Sequence, residues 1–97
     1  MTGSEYRPHR IHLTLFVSGE EPNSLLACRN LKEICSGELE DVCEIQVIDV
    51  YRDFARALKE RIIVTPTLIV VTEENTRAVF YGSLHDKHVV RQYLTHG

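Results

Sequence analysis

The chain has 97 residues, of which 43% are hydrophobic and 26% are charged, and its formal net charge is −3. This length suits one domain, since domains usually span about 100 to 150 residues, and the acidic balance argues against a nucleic-acid partner. No run approaches the ~20 apolar residues that cross a bilayer, and residues 1–10 lack the apolar segment of a secretory signal. We therefore expect a cytoplasmic protein without membrane contact, in which residues 1–10 are a flexible lead-in and residues 11–97 form a single domain.

The domain begins with the pattern of a strand, a helix and a second strand. Residues 11–17 alternate apolar and polar side chains, which predicts a strand. Asn23 or Ser24 is expected to cap a helix that stops near Gly37. Residues 43–50 are rich in β-branched side chains and predict a parallel strand in a right-handed βαβ unit. The helix has an apolar stripe of Ala27, Leu31, Ile34 and Cys35.

A short helix and two strands follow. Asp53 is expected to cap a helix that reaches about Glu60. Residues 67–72 and 77–81 are β-formers, and Asn75 tolerates the left-handed backbone of the polar turn between them. The side chains expected on the apolar side of this helix are Phe54, Ala55, Ala57 and Leu58.

The last predicted element is a C-terminal helix. Ser83 and Asp86 have the spacing of a capping box. The expected apolar face consists of Val89, Val90, Tyr93 and Leu94. The resulting order β-α-β-α-β-β-α predicts an α/β protein with a thioredoxin-like fold, in which helices cover both faces of a four-stranded mixed sheet.

Two segments of this predicted fold bear on function. Thr65 and Pro66 precede the third strand, where thioredoxin-like folds place a Thr-Pro step that is usually cis, and we predict a cis bond. Redox-active members of that fold have a Cys-x-x-Cys pair at the end of the first strand, whereas residues 18–24 contain no cysteine. A thioredoxin-like fold that lacks this Cys-x-x-Cys pair indicates a binding protein.

The remaining cysteines and histidines give no recognisable site. Cys28 and Cys35 lie about 10 Å apart along one predicted helix, too far for a disulfide bond. With Cys43 they fit no zinc or redox spacing, and we interpret all three as small buried hydrophobes. His85 and His88 share a helix face, but no third ligand completes a metal site. We expect no metal and no cofactor.

Four short motifs resemble the KaiB family of circadian-clock proteins. Residues 15–24 are similar to that family's junction between the first strand and helix, with Leu-Phe-Val-Ser-Gly and Pro-Asn-Ser. Residues 47–50 resemble its second-strand motif, and residues 65–68 match its Thr-Pro-Thr-Leu. Gly82 and Leu84 lie where the family has Gly-Asp-Leu-Ser. The four motifs keep the family's order and spacing, and the resemblance covers residues 11–95.

This resemblance implies a protein-binding role without catalysis. Members of the family dock onto a hexameric KaiC ATPase and influence its phosphorylation cycle, and a related domain is the sensor of a clock-output histidine kinase. Some members exchange a tetramer with a rearranged C-terminal half for a thioredoxin-like monomer. Here residues 72–76 lack the prolines that the clock members have between their third and fourth segments. We therefore predict a thioredoxin-like ground state without switching.

The expected partner is a KaiC-like ATPase or a histidine kinase, in a circadian or stress-response system, and an edge strand makes a homo-oligomer plausible. Two alternatives stay open: a thioredoxin-like oxidoreductase or peroxidase with a single reactive cysteine, and a stress regulator that no longer binds KaiC. The basic side chains could equally be the ordinary exposed side of a short helix. The candidate partner-binding residues are Arg52, Arg56, Lys59, Arg61, Thr65, Pro66 and Gly82.

Overall fold

Residues 10–96, which a computed structural model describes, form four strands and three α-helices. In chain order the elements are β1 (Ile11–Val17), α1 (Pro22–Ile34), a turn of 3-10 helix (Gly37–Leu39), β2 (Cys43–Asp49), α2 (Phe54–Lys59), β3 (Thr67–Thr72), β4 (Arg77–Tyr81) and α3 (Lys87–His96). This is the predicted order. The predicted flexible lead-in, apart from its last residue, lies outside the described residues.

The four strands form one mixed sheet in the order β2-β1-β3-β4. β1 is parallel to β2, with Val17 opposite Asp49, and β3 is antiparallel to both β1 and β4. β1, β2 and β4 therefore finish at the end of the sheet where β3 begins, and we call this the Pro66 end of the sheet. β1 and β2 begin at the opposite end, the Cys43 end. The parallel pairing confirms the predicted βαβ unit.

Helices cover both faces of the sheet, as predicted. α1 and α3 lie on one face, against the side chains of β1 that alternate inward from Ile11 to Val17. On the other face α2 packs through Ala57 against Phe16, Ile48 and Ile69. The apolar stripe predicted for α1 is confirmed, because all four of its residues are buried. Residues from α1 and α3 in the larger core include Ala27, Leu31, Ile34, Cys35, Val90 and Leu94.

Polar contacts join α3 to the end of α1. Arg91 donates from Nε to the carbonyl oxygen of Ile34 (3.2 Å) and from Nη2 to that of Glu33, so its guanidinium binds two carbonyls at the end of α1. Lys87 donates to the Glu33 carboxylate, and this hydrogen bond lowers the pKa of Glu33. α1 and α3 are therefore held together by charge as well as by apolar packing.

The predicted starts of two helices are wrong. α1 begins at Pro22, and its cap is Glu21 rather than Asn23 or Ser24. Glu21 Oε1 accepts from the Ser24 backbone N–H (3.0 Å), and Pro22 suits the first helical position because it has no N–H to leave unpaired. The Ser24 side chain instead accepts from the Ser18 N–H (3.0 Å), which ties the helix start to the end of β1.

The capping box predicted for the last helix does not form. α3 begins at Lys87, so Asp86 directly precedes the helix and Ser83 lies well outside it. Leu84 between them has a left-handed backbone (φ 62°) and a buried side chain. The chain therefore turns at Leu84, with this side chain in the core, before the helix starts. The Ser83 carbonyl accepts a hydrogen bond from Asn30 Nδ2 (2.8 Å) on α1.

The turn between β3 and β4 has the predicted left-handed residue, Asn75 (φ 68°). Its side chain is exposed, so a substitution there changes backbone strain rather than core packing. We expect Asn75→Ala to lower the free energy of unfolding by roughly 1 kcal/mol, since alanine is disfavoured in this conformation. Asn75→Gly should cause no such loss. Urea unfolding of both variants tests this, and equal loss in both would contradict it.

Candidate partner-binding surface

The Pro66 end of the sheet brings three predicted site residues together. The Thr65–Pro66 peptide bond is cis, as predicted, and Pro66 is fully buried. Its carbonyl oxygen accepts from the Gly82 N–H (2.9 Å), and the hydroxyls of Thr65 and Ser18 are hydrogen-bonded to each other. Gly82 has φ 91°, a conformation that favours glycine. Thr65, Pro66 and Gly82 thus form one structural unit, the Pro66 loop.

Asp49 fixes the neighbouring loop at the same end. One of its carboxylate oxygens, Oδ1, accepts from the backbone N–H groups of Tyr51 (2.9 Å) and Gly19 (3.3 Å). This contact joins the segment after β2 to the segment after β1, which is where a thioredoxin-like enzyme has its cysteines. The Pro66 end therefore presents a backbone of defined shape without a thiol nucleophile.

α2 exposes apolar side chains that were expected to face the sheet. Asp53 caps the helix as predicted, with Oδ1 accepting from the Arg56 N–H (3.1 Å). Of its apolar residues only Ala57 is buried; Phe54 is 64% exposed and Leu58 62% exposed. The prediction of a four-residue apolar side against the core is wrong because a helix of six residues has fewer than two turns. Ala57 is the residue of α2 that is buried against the sheet.

The four predicted basic residues differ in availability. Arg52 is exposed and lies 4.0 Å from an Asp49 carboxylate oxygen, whereas Arg56 is half-buried and pairs with Glu60 (3.8 Å). Glu60 also pairs with Arg77 (3.8 Å). Lys59 and Arg61 are exposed and form no ion pair with any side chain of residues 10–96. These last two are the basic groups best placed to meet an acidic partner.

Exposed apolar residues lie beside these basic groups, and none of them is among the predicted site residues. The side chain of Ile63 is 92% exposed and that of Val64 is 50% exposed. The available signal was the apolar run of residues 62–64, which precedes Pro66 without strand-like alternation. Large exposed apolar patches are typical of interaction sites. We define the α2 surface as Tyr51, Phe54, Leu58, Lys59, Arg61, Ile63, Val64 and Tyr81.

A cleft of about 350 Å³ separates the segment after α2 from β3 and β4. Among the described residues that line it, Glu60 is the one acid and is paired with Arg56 and Arg77, so the cleft is basic as well as partly apolar. This combination suits an acidic or apolar side chain of a protein partner. The cleft is lined by Lys59, Glu60, Arg61, Ile62, Ile63, Thr67, Ile69, Arg77, Val79 and Tyr81.

The three cysteines, His85 and His88 lie outside the α2 surface as defined above. Within residues 10–96 no cluster of three or more histidine, cysteine or acidic side chains could hold a metal ion, and His85 and His88 are exposed. Cys28 lies inside α1, away from its N-terminus, and the other two cysteines lie at the Cys43 end. In this same range no helix is both long and apolar enough to span a membrane.

Comparison with known proteins places this fold in a family. The model of the KaiB domain matches residues 14–96. The circadian clock oscillator protein KaiB of Trichodesmium erythraeum is 37% identical over 78 residues, covering 80% of this chain and 74% of that protein. The protein of the same name from Nostoc punctiforme is 37% identical with the same coverage of both chains.

Solved structures agree with the fold. The solution structure of the N-terminal domain of SasA from Synechococcus elongatus has a TM-score of 0.72 and 25% identity, covering 95% of this chain and 90% of that one. The thioredoxin Deadhead of Drosophila melanogaster has a TM-score of 0.72 at 16% identity, covering 89% of this chain and 79% of its own, which shows the fold alone. The chain therefore belongs to the KaiB family and has a thioredoxin-like fold.

Proposed function

We propose that this chain is a non-catalytic cytoplasmic regulator that binds an ATPase of the KaiC type through the α2 surface and the Pro66 loop. The observation that supports this most directly is the exposure of Ile63, Leu58 and Phe54 next to the exposed cations Lys59 and Arg61. The family's clock oscillator proteins support the class of partner.

The composition of the α2 surface matches the energetics of protein interfaces. Aromatic and large apolar side chains usually supply most of the binding free energy, and exposed charges mainly increase the association rate and the specificity. Tyr51, Phe54 and Tyr81 would supply apolar contact area. Lys59 and Arg61 would attract an acidic patch on the partner. The hydrogen bonds around Pro66 and Asp49 hold the adjoining backbone in place before binding.

A histidine kinase is the second candidate partner. Its support is the similarity to the SasA domain together with the observed strands Thr67–Thr72 and Arg77–Tyr81, which give this chain the same thioredoxin-like arrangement. A thiol oxidoreductase or peroxidase acting at the Pro66 end has no such support, because residues 18–24 and 65–66 contain no cysteine.

Size-exclusion chromatography with light scattering tests the proposal. The purified chain is mixed with the KaiC-type ATPase of the same organism in ATP, in ADP and without nucleotide. We expect a complex in at least one of these states, and the chain run alone reports whether it forms a homo-oligomer. A complex with the histidine kinase instead would favour the second candidate. Absence of a complex with the ATPase in all three states would contradict the proposed function.

A further inference from the structure

Two cysteines meet at the Cys43 end of the sheet, remote from the proposed partner-binding surface. Cys35 follows the last residue of α1 and caps that helix, with its backbone N–H directed at the Leu31 carbonyl (3.0 Å). Cys43 begins β2 and pairs with Ile11 of β1. Both therefore lie on rigid elements, although seven residues separate them along the chain. Both side chains line one small cavity, where each thiol shifts the pKa of the other.

The pair opens to solvent through a small cavity. This cavity has a volume of about 270 Å³, and both thiol-bearing residues contribute to its wall. Cys35 is buried, whereas Cys43 is partly exposed and is the thiol that a small solute reaches first. Lys32 places a positive charge at the same cavity, and Arg91 lies close enough to act electrostatically on Cys35. The other lining residues are Ser36, Glu40 and Ile45.

The two thiols at this cavity are chemically unequal. The hydrogen bond to Cys43, together with burial, raises the pKa of the Cys35 thiol above its usual range. The hydrogen bond that Cys35 donates lowers the pKa of the Cys43 thiol. Cys43 is thus the thiol of the pair that loses its proton more readily, and Cys35 is the one that keeps it. Thiolate character and solvent access are the two properties that make a cysteine reactive.

We propose that Cys35 and Cys43 form a redox modification site at which a peroxide converts the two thiols into an intramolecular disulfide. The bond would join the end of α1 to the start of β2. The segment between them can adjust, since residues 36–38 and 40–41 are exposed and Gly37 has open space around it. This inference does not depend on the proposed function.

The reaction proceeds in two steps. The Cys43 thiolate attacks one oxygen of hydrogen peroxide; a sulfur–oxygen bond forms, the oxygen–oxygen bond breaks, and the departing hydroxide takes up a proton as water. Cys43 is then a sulfenic acid. The sulfur of Cys35 attacks that of Cys43, releasing the sulfenic oxygen with the Cys35 proton as a second water. Two thiols lose two electrons, and the peroxide accepts them. A dithiol reductant converts the disulfide back into two thiols by thiol–disulfide exchange.

Mass spectrometry of the full chain tests this inference. The reduced protein is treated with a small excess of hydrogen peroxide, denatured in the presence of an alkylating reagent, and weighed. We expect a monomer that has lost about 2 Da and takes up one alkyl group instead of three. Cleavage after Glu38 and Glu40 separates the two cysteines, so the disulfide is identified as two joined peptides. Treatment with dithiothreitol should restore all three thiols.

Cys28 is the matched control, because it is a partly exposed cysteine outside the pair. Cys28→Ala should form the same disulfide as the wild type, whereas Cys35→Ala and Cys43→Ala should form none. The wild-type measurement remains decisive if Cys35→Ala does not fold. Three alkylatable thiols after peroxide treatment, a disulfide that includes Cys28, a disulfide-linked dimer alone, or stepwise oxygen addition to Cys43 without a disulfide would each overturn the proposal.

Discussion

Replacing Leu15 with alanine is expected to lower the free energy of unfolding by about 3–5 kcal/mol. Leu15 is fully buried in β1, the strand between β2 and β3, and belongs to the core shared by α1 and α3. Truncation removes apolar contacts and leaves a cavity that the surrounding strands cannot fill without moving. Equilibrium unfolding in urea measures the change, with the slope compared between the two proteins to exclude a change in the unfolded state.

Leu58→Ala is the matched control, since it is the same substitution at an exposed position on α2. We expect it to change the free energy of unfolding by less than about 0.5 kcal/mol. A loss at Leu58 comparable with that at Leu15 would mean that α2 buries Leu58, which would remove it from the proposed interface. Leu58→Ala should instead weaken partner binding.

Reversing two exposed cations, Lys59→Glu with Arg61→Glu, is expected to weaken the complex with the KaiC-type ATPase by roughly 10- to 100-fold. The substitutions replace attraction of an acidic partner by repulsion, and both side chains are exposed, so the fold should tolerate them. Most of the loss should appear in the association rate and should shrink as salt is added. Surface plasmon resonance at two ionic strengths measures both quantities.

Arg29→Glu with Lys32→Glu is the matched control for this pair. Both residues are exposed on α1, on the face of the sheet opposite α2, and their reversal changes the net charge equally. We expect less than about a threefold effect on affinity, because those charges lie outside the α2 surface. Equal losses in the two double variants would show that overall charge, rather than the α2 surface, governs binding.

Local sequence signals were sufficient where one residue type satisfies one backbone requirement. The alternation in residues 11–17, the cap at Asp53 and the left-handed turn at Asn75 are all observed. Together with the Thr65–Pro66 step they define the order of the elements and the Pro66 end of the sheet. The fold could therefore be predicted before any contact was known.

Features that depend on tertiary contacts could not be predicted in this way. The competition between Glu21 and Ser24 to cap α1 is decided by the end of β1, which occupies the Ser24 hydroxyl. Leu84 fills the core and thereby delays the start of α3. Exposure of Phe54 follows from how little of α2 reaches the sheet. Such outcomes require the distances between elements, which a local pattern does not contain.

The proposed site was only partly accessible to sequence reasoning for the same reason. The sequence shows which residues between 52 and 61 are basic, but not which of them form ion pairs. In the structure Arg56 is paired with Glu60, whereas Lys59 and Arg61 are exposed. The placement of Cys35 and Cys43 at one cavity also requires the fold, because it brings a helix end and a strand start together across an intervening loop.

Hydrogen exchange on the full chain, with and without the KaiC-type ATPase, tests the central claim most directly. If the α2 surface and the Pro66 loop are the interface, the slowed amides will lie in residues 51–66 and 81–82, and those of α1 and α3 will be unchanged. Slowing confined to α1 and α3, or no change in any segment at saturating ATPase, would contradict the account.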